Sequence, residues 1–488
     1  MKYQRSWWTV PLLAIASLGA GEVDLRLVQA AKDQNHTAVR ALLKQKANVN
    51  ATEADGATAL HWAVYWDDLG TVDLLIRAGA KVNIANDLRV TPLLLACSNQ
   101  SSTALIERLL KAGADPNATL AGGDTPLMAA ARTGNTQAVK LLLAHRASLD
   151  AKASRGQTAL MWAVAQRHAD VVQLLVEAGA NVHARSDSWI QLVNSAGNHY
   201  TQGDYEMAQG GSTPLLFAAQ QGDLESANVL IAGGANVNDA TPAGITALMM
   251  AAHSNNGAVA AYLLDKGADP NAADAKYTAL HAAILRGNLE LAQNLLAHGA
   301  DANVPVMRGT PVRRHSADWA ISYWVVGAPP LWLAARYLDV DMMRALVAGG
   351  ANPLLTKGGS TLLMAAFVGG KTRQPEDMAA VPRDPEEENH LVLDIVKFAL
   401  ELGVDVNAAD ETGSTALHLA ASKGHTAVIP LLVEKGARLD AKNVHGQTPL
   451  ALAFRGNVVR DALGNILLDT SDKQKAAAEL LRKLGAKD

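Results

Sequence analysis

Cysteine, aromatic side chains and clustered charge are all scarce in this sequence. Cys97 is the single cysteine among 488 residues, which excludes an intramolecular disulfide and any paired-cysteine metal or redox site. Aromatic residues make up 4% of the chain, and the formal net charge is −4 at pH 7 without any basic tract, so nucleic acid is not an expected partner. Cys97 itself occupies an alanine-like position in an apolar run, which favours a small buried residue over a nucleophile.

Motifs that carry chemistry are missing as well. The 14 histidines are scattered along the chain, and no HExxH, CxxC or CxxCH group occurs, so no metal site is predicted. Glycine pairs such as Gly233–Gly234 and Gly349–Gly350 end helical segments instead of joining a strand to a helix, which argues against phosphate-binding loops. We therefore predict no cofactor and no catalytic residue, and the chain is expected not to be an enzyme.

What the sequence does contain is a repeated unit, seen most clearly at residues 411–446. The spacing of its apolar residues predicts a short helix over Ala416–Ser422 and a second helix over Thr426–Lys435. Gly436 follows, and glycine is favoured after a helix because it adopts left-handed backbone at little cost. One helix pair cannot bury its apolar face alone, so neighbouring copies are expected to stack around a shared, narrow core.

The start of this unit recurs at intervals of about 33 residues along most of the chain. A threonine followed by Ala-Leu, Pro-Leu or a close variant stands at Thr58, Thr91, Thr125, Thr158, Thr213, Thr246, Thr278, Thr361, Thr415 and Thr448. A degenerate copy, Pro329-Pro330-Leu331, fills one gap. Self-similarity of this kind is typical of a repeat architecture.

These motifs resemble the ankyrin-repeat family. The matching segments are Thr58–His61, Thr278–Ala283, Thr415–Ala421, Ala78–Asn83, Ala232–Asn238 and Lys266–Asn271. The resemblance implies an all-α repeat solenoid, an ankyrin-like stack of about twelve helix-turn-helix repeats with finger loops, two finger-loop insertions and one intra-repeat insertion. Lys46 and Arg146 depart from the pattern because they replace the glycine after the second helix, so strained backbone is expected there.

Interruptions of the period predict the division of the chain. The expected parts are 1–20 signal peptide, 21–56 N-terminal capping repeat, 57–185 ankyrin-like repeats, 186–212 finger insertion, 213–303 repeats, 304–328 finger insertion, 329–447 repeats with a mobile insertion at 369–390, and 448–488 C-terminal capping repeat. The two finger insertions fall in the loop between repeats, whereas the third insertion separates the two helices of one repeat.

The first 20 residues have the layout of a secretory signal peptide. Lys2 and Arg5 precede an apolar run over residues 7–18, and small residues follow. This run is too short to favour a membrane span, so no stable membrane insertion is expected after its removal. The alternative is a buried N-terminal helix of the capping repeat. The signal reading predicts an extracytoplasmic protein, either periplasmic or secreted.

The finger insertions carry aromatic residues that are rare elsewhere. Exposed Trp, Tyr and Arg dominate binding hot spots, so we predict a monomeric scaffold that binds an unidentified protein partner through its concave face and its fingers. The predicted partner-binding residues are Trp189, Tyr200, Tyr205, Arg313, Arg314, Trp319, Tyr323 and Trp324. The structural alternative is that Trp319, Tyr323 and Trp324 fold back onto the stack, and that the acidic first finger and the basic second finger contact each other.

Two other functions remain open at this point. The first is a small-ligand receptor or enzyme with a pocket between the two finger insertions, where His199, Asp204, His315 and Asp318 would be the polar cluster. The second is a purely structural or inhibitory scaffold.

Several tryptophans fall on the repeat helices instead. Trp62 and Trp162 occupy a position typical of core leucine and are expected to be buried, whereas Trp66 and Trp332 are candidates for the inner surface.

Overall fold

The computed structural model describes residues 24–99, 101–194, 204–310, 321, 323–368, 385–454, 457–460, 466–469 and 472–487. Residues 1–20, where the signal peptide is expected, lie outside this part of the chain. The chain divides into two compact units, Met1–Ser148 and Leu149–Asp488.

The first unit contains four helix pairs among its described residues. Its helices are α1 (Arg26–Lys32), α2 (His36–Lys44), α3 (Ala59–Tyr65), α4 (Leu69–Arg77), α5 (Pro92–Ser98), α6 (Thr103–Lys111), α7 (Pro126–Thr133) and α8 (Thr136–Ala144). The first helices of the pairs pack side by side in one row, and the second helices pack in another. The unit therefore has two helical layers with its core between them.

The second unit contains eight helix pairs in its described part, arranged in the same two rows. Its helices are α9 (Ala159–Ala165), α10 (Ala169–Glu177), α11 (Pro214–Gln221), α12 (Leu224–Ala232), α13 (Ala247–His253), α14 (Gly257–Asp265), α15 (Ala279–Arg286), α16 (Leu289–Ala297), α17 (Pro330–Arg336), α18 (Val340–Ala348), α19 (Leu362–Val368), α20 (Pro385–Glu401), α21 (Ala416–Lys423), α22 (Ile429–Glu434), α23 (Pro449–Phe454) and α24 (Asp472–Lys483).

Most of the repeated threonines cap the first helices, although the buried hydroxyls of Thr213 and Thr361 make no hydrogen bond with a described residue. Thr125 has extended backbone, and its hydroxyl accepts a 3.3 Å hydrogen bond from the Met128 amide, which would otherwise lack a partner. Pro126 follows at the first helical position, where its missing N–H costs nothing. At Thr58 the cap is reciprocal, because the Thr58 amide donates to Nδ1 of His61 over 3.1 Å.

The core is narrow because the first helices contribute many alanines. Ala130 and Ala131 on α7 are fully buried, as are Val139 and Leu142 on the facing α8. Small side chains on one helix let the partner helix approach closely, and the larger aliphatic residues then fill the space between the layers. Cys97 occupies such an alanine position with no exposed surface, which confirms the prediction of a buried thiol.

A ladder of asparagines connects successive repeats within each unit. Nδ2 of Asn303 donates to the Gly350 carbonyl at 3.1 Å, and its Oδ1 accepts from the Asn352 amide at 2.7 Å. Equivalent pairs of hydrogen bonds are made by Asn50, Asn83, Asn117, Asn238, Asn271 and Asn407. Each asparagine thus satisfies two backbone groups of the next repeat, which sets the spacing between neighbours.

The expectation of an all-α fold is corrected at two places, where the chain forms antiparallel hairpins. Strand β1 (Ser188–Asn194) pairs with β2 (Asp204–Gly210), and β3 (Asn457–Arg460) pairs with β4 (Ile466–Asp469). The first hairpin lies in the predicted finger insertion 186–212. Its strand β1 contains Trp189 and the β-branched residues Ile190 and Val193, and aromatic and β-branched residues favour strands over helices.

Two helix boundaries also differ from expectation. Helix α22 begins at Ile429 instead of Thr426, because Pro430 lacks an N–H and is tolerated only in the first turn. Helix α20 begins at Pro385, so residues 385–390 of the predicted mobile insertion are helical. Proline at the first position and three glutamates in the first turn both favour a helix start there. Residues 369–384 lie outside the described residues.

The strain expected at two glycine-replacing residues is present. Lys46 and Arg146 have φ values of 59° and 65°, in the left-handed region that glycine occupies at the corresponding turn of other repeats, as at Gly79 with φ 89°. Because a Cβ is disfavoured in this conformation, each of these two turns forms at an energetic cost.

Candidate functional site

The hairpin β1–β2 exposes an apolar surface at the edge of the second unit. Ile190 and Leu192 are 65% and 66% exposed, and they point to one face of the hairpin because they are two residues apart. Trp189, on the opposite face, is 48% exposed. Apolar side chains exposed in a continuous strand are unusual for a free surface and indicate a contact site.

The second finger is closed at its base and fastened to the turn before α15. Val306 donates to the Ala328 carbonyl at 3.0 Å, and Gly327 donates to the Val306 carbonyl at 2.7 Å. The carbonyl of Lys276 then accepts from the amides of both Met307 and Arg308, at 2.9 and 3.2 Å. The beginning of this finger is therefore held in one place.

Tyr205 of the first finger connects it to the second. Its hydroxyl donates to the Gly309 carbonyl at 3.0 Å, and the guanidinium of Arg308 lies 4.4 Å from the centre of its ring. Burial raises the pKa of Tyr205, and the positive charge of Arg308 opposes that rise. The two fingers thus contact each other at Tyr205, as the structural alternative stated.

A cleft opens beside this contact. This finger cleft has a volume of about 450 Å³ and is lined by Glu206, Met207, Ala208, the turn Ala240–Gly244, Asp274, Lys276 and Arg308. Two carboxylates and two cations therefore face one space. Arg185 holds the turn in position, since its guanidinium donates to the Gly211 carbonyl at 3.0 Å and to the Ala240 carbonyl at 2.7 Å.

The predicted partner-binding residues are only partly within the described chain. Trp189 and Trp324 are exposed, the latter by 56%, whereas Tyr205 is half-buried. The backbone of Tyr323 lies in a short 3₁₀ turn, Tyr323–Val325. The remaining four residues lie outside the described residues: Tyr200, Arg313, Arg314 and Trp319.

Sequence reasoning missed the apolar face formed by Ile190 and Leu192, and it missed the role of Arg308 as the contact to Tyr205. The available signal was the run from Trp189 to Val193, rich in aromatic and β-branched residues, because such a run favours a strand and residues two apart in a strand share one face. No comparable signal existed for Arg308, whose contact depends on a residue 103 positions earlier in the chain.

The polar cluster considered for a pocket between the fingers is not assembled in the described chain. Asp204 is exposed at the start of β2 and does not line the finger cleft, and the other three residues, His199, His315 and Asp318, lie outside the described residues. In the part of the chain that the structure describes, no group of three or more His, Cys, Asp or Glu side chains could hold a metal ion.

The first unit carries its own aromatic cluster at the end of α3. Tyr65 and Trp66 are 39% and 43% exposed, and their rings lie edge to face with centroids 4.9 Å apart. Trp62 is half-buried, not fully buried as expected, because its Nε1 donates to Glu53 at 2.8 Å and Lys32 lies over its ring. Trp66 reaches the surface as anticipated.

The remaining two helical tryptophans do not follow the sequence-based expectation. Trp162 is half-buried, although its position was predicted to lie fully in the core. Trp332 is 3% exposed, so this candidate for the inner surface belongs to the core. Among the helices that the structure describes, none is long and apolar enough to cross a membrane.

Several known proteins are similar to parts of this chain. The E3 ubiquitin-protein ligase KEG of Arabidopsis thaliana is 27% identical over 50% of this chain and 14% of its own length. The putative palmitoyltransferase ZDHHC13 of Danio rerio is 28% identical over 50% of this chain and 32% of its own length. An ankyrin repeat-containing protein of Schizosaccharomyces pombe is 35% identical over 16% of this chain and 39% of its own. The matches thus span well under half of each relative.

A solved structure is also similar. The crystal structure of the human ASB11 ankyrin repeat domain is 27% identical and covers 50% of this chain and 98% of that domain, with a TM-score of 0.41.

The relatives overturn the expectation that the chain is not an enzyme. One is named a ubiquitin-protein ligase, and ZDHHC13 and ZDHHC17 of Danio rerio are named palmitoyltransferases. The prediction was wrong because it treated an open helical stack without catalytic motifs as sufficient evidence against enzymatic activity. Similar repeats occur in proteins that are named as enzymes.

The expectation of a periplasmic or secreted protein is also wrong. It rested on the composition of residues 1–20 alone, and a short apolar run after basic residues is not specific to signal peptides. The similar proteins are named as a ubiquitin ligase, palmitoyltransferases and a further ankyrin repeat-containing protein, and none of these carries the name of a secreted protein.

The family assignment rests on matches that cover most of the chain. A family model described as ankyrin repeats in three copies matches residues 24–86, 93–186, 192–274, 215–306 and 386–475. These segments include most of the threonine-capped helix pairs and the asparagines of the ladder. The chain therefore belongs to the ankyrin-repeat family.

Proposed function

We propose that this protein is a scaffold that binds a protein partner through its first helices and its two finger insertions. Ankyrin repeats as such imply binding to a protein. The finer proposal is that each described helix pair is one repeat, that residues 186–212 and 304–328 are finger insertions, and that the protein acts as a monomer. The predicted residues Trp189, Tyr205 and Trp324 belong to the contact surface.

The observation that supports this proposal is the exposed apolar face of the first hairpin. Ile190 and Leu192 together leave most of their aliphatic surface in water, at a free-energy cost of about 25 cal/mol for each Å². A partner that covers this face removes that cost. Trp189 and Trp324 add large rings that lose few rotamers on binding, which is why tryptophan contributes strongly at interfaces.

Tyr205 contributes in a different way. Because its hydroxyl is engaged by Gly309 and its ring by Arg308, it keeps the two fingers in a fixed relationship before a partner arrives. A surface that is already ordered loses less conformational entropy on binding.

The test is an affinity capture from a lysate of the source organism, with the whole chain as bait. One variant carries Ile190→Ser and Leu192→Ser, and the matched control carries Leu354→Ser and Val444→Ser, two residues that are 63% and 65% exposed elsewhere in the same unit. We expect a protein that the wild type and the control retain and that the hairpin variant loses.

Circular dichroism and gel filtration with light scattering are used to check whether all three chains are folded and monomeric. Equal capture by the hairpin variant would contradict the proposal, and so would a wild-type dimer that the hairpin substitutions dissociate, since the hairpin would then contact a second copy.

A further inference from the structure

The finger cleft contains an unusual balance of charges. Glu206 and Asp274 are negative, Lys276 and Arg308 are positive, and all four line one space of about 450 Å³. Opposite charges that face one cleft normally form ion pairs with each other. Among the described residues, however, none of these four side chains is within 4.0 Å of an oppositely charged partner.

Arg308 in particular is held in a position where its buried Nε–H group lacks a hydrogen-bond acceptor among the described residues. Its amide is bonded to the Lys276 carbonyl, and its guanidinium lies over the ring of Tyr205. Its Nε is buried and makes no hydrogen bond with any described residue. A buried donor without a partner is costly, so a ligand oxygen that reaches Arg308 gains more than it would at an exposed arginine.

The surroundings of these charges are fixed. The Gly244 turn lies so close to Asp274 that a Cβ at Gly244 would stand 2.5 Å from the Asp274 Cβ, and Arg185 fastens the same turn to the base of the hairpin. Lys276 has left-handed backbone with φ 73° and uses its carbonyl to hold the second finger. The cleft is therefore preformed, which favours selective binding over adaptation.

We propose that the finger cleft binds an extended segment of the protein partner that carries one acidic and one basic side chain close together. This inference rests on the proposed scaffold function and names the chemistry that this site recognises. The acidic side chain pairs with Arg308 and Lys276, and the basic one pairs with Glu206 and Asp274. Charge complementarity of this kind mainly provides specificity.

A ligand with charge of one sign fits the cleft less well. A phosphate or an acidic peptide is attracted by Arg308 and Lys276 but repelled by Glu206 and Asp274, which line the same cleft. A purely basic segment is attracted by Glu206 and Asp274 but repelled by Arg308 and Lys276. Met207, Ala208 and Pro242 contribute apolar surface between the charges, which suits the aliphatic parts of a peptide.

The experiment uses the whole chain and fluorescein-labelled, end-blocked heptapeptides on a glycine-serine background. One set pairs Asp or Glu with Arg or Lys at separations of one to four residues, and matched sets replace the acid, the base or both with Asn or Gln. Fluorescence polarisation measures binding up to 1 mM peptide. We expect at least one mixed-charge peptide to bind about tenfold more tightly than each of its neutralised counterparts.

Variants then test the assigned residues. Arg308→Gln and Glu206→Gln are each expected to reduce this selectivity about tenfold, whereas Lys442→Gln and Glu434→Gln, which are exposed in the same unit, leave it unchanged. Arg308→Glu is expected to shift the preference towards the peptides that keep the basic residue and carry Asn or Gln in place of the acid. Loss of structure in a variant would appear in circular dichroism, and the shift in preference cannot arise from unfolding.

Three results would overturn the inference. They are the absence of binding below 1 mM, equal binding of the neutralised peptides, and equal binding of free arginine or aspartate. The last result would indicate that the cleft binds a small zwitterion instead of a partner segment.

The hairpin variant with Ile190→Ser and Leu192→Ser separates this inference from the scaffold proposal. Capture of a partner that depends on the hairpin, together with failure of every peptide, rejects the cleft inference alone.

Discussion

The hydroxyl of Tyr205 donates a 3.0 Å hydrogen bond to the carbonyl of Gly309, and this bond joins two finger segments that are 104 residues apart in the chain. It is accompanied by the contact between the Tyr205 ring and the guanidinium of Arg308 at 4.4 Å. Both fingers depart from the regular repeat, yet they support each other and form one side of the finger cleft.

Tyr205→Phe should loosen this contact while leaving the stack intact. The ring remains over Arg308, but the Gly309 carbonyl loses its donor, so docking of the second finger should weaken by about 1 kcal/mol. Hydrogen exchange measured by mass spectrometry should show faster exchange of the amides at residues 306–310.

The matched control is Tyr262→Phe, because the Tyr262 hydroxyl donates to Asn228 at 2.7 Å on the helices of the same unit. That variant should leave exchange in the second finger unchanged. If Tyr205→Phe has no effect at residues 306–310, the bond does not hold the fingers together.

His281 should make the second unit sensitive to mild acid. Burial lowers the pKa of His281 to about 4, whereas an unfolded histidine has a pKa of about 6.5. Between pH 6.5 and pH 4, His281 is protonated in the unfolded chain but stays neutral in the folded chain. The contribution to stability is therefore complete above pH 6.5 and decreases as the pH falls towards 4, by at most about 3 kcal/mol.

His281→Met tests this dependence, because methionine occupies the same helix position at Met128, Met161 and Met249 in other repeats. Between pH 7 and pH 4, the free energy of unfolding in urea should fall less for this variant than for the wild type. His145→Met, at an exposed position, is the control. Parallel pH curves for wild type and His281→Met would contradict the expected role of His281.

Replacing Lys46 or Arg146 with glycine should stabilise the first unit. Both residues have left-handed backbone, and glycine adopts that conformation without the penalty of a Cβ, so Lys46→Gly and Arg146→Gly should each gain about 0.5 to 1 kcal/mol. Urea unfolding followed by circular dichroism measures the gain.

The converse substitution is Gly79→Ala, at a turn with φ 89° where an added Cβ would contact nothing within 4 Å. Only the backbone conformation is then penalised, and a loss of about 1 kcal/mol is expected. A glycine substitution that destabilises either turn would show that the contacts of the lysine or arginine side chain outweigh the strain.

Cys97 should be inert in the folded protein. Its side chain is fully buried on α5, and burial raises the pKa of its thiol to about 12, so almost no thiolate exists at neutral pH. Ellman's reagent should react with Cys97 only after unfolding in guanidinium, whereas a second thiol introduced by Lys44→Cys on exposed α2 should react at once. Rapid labelling of Cys97 in the native state would indicate local opening of α5.

The repeat pattern was strong enough to predict the helix pairs. Most of the repeated threonines, such as Thr125, cap a helix, and alanine-rich segments such as that after Thr125 recur from copy to copy, so these features are local. The boundary of α22 was missed because Pro430 was not weighed, although its effect on a helix start is equally local.

The candidate site was less accessible to sequence reasoning. The exposed aromatic residues Trp189 and Trp324 were recognised from their scarcity elsewhere and their place in the finger insertions. The hairpin that carries Trp189 was not recognised, since a strand depends on pairing with a second segment. The finger cleft could not be predicted from the sequence, because its charged residues come from three separate stretches of the chain, around Glu206, Asp274–Lys276 and Arg308.

The sequence by itself determined the ankyrin-type helix pairs and most of their caps, because each of these depends on contacts within one repeat or with the next one. Only the tertiary structure decided that Tyr205 meets Arg308 and Gly309, that Ile190 and Leu192 remain exposed, and that four charges share one cleft. Those relationships join segments far apart in the chain, and their free energy depends on distances that no local pattern encodes.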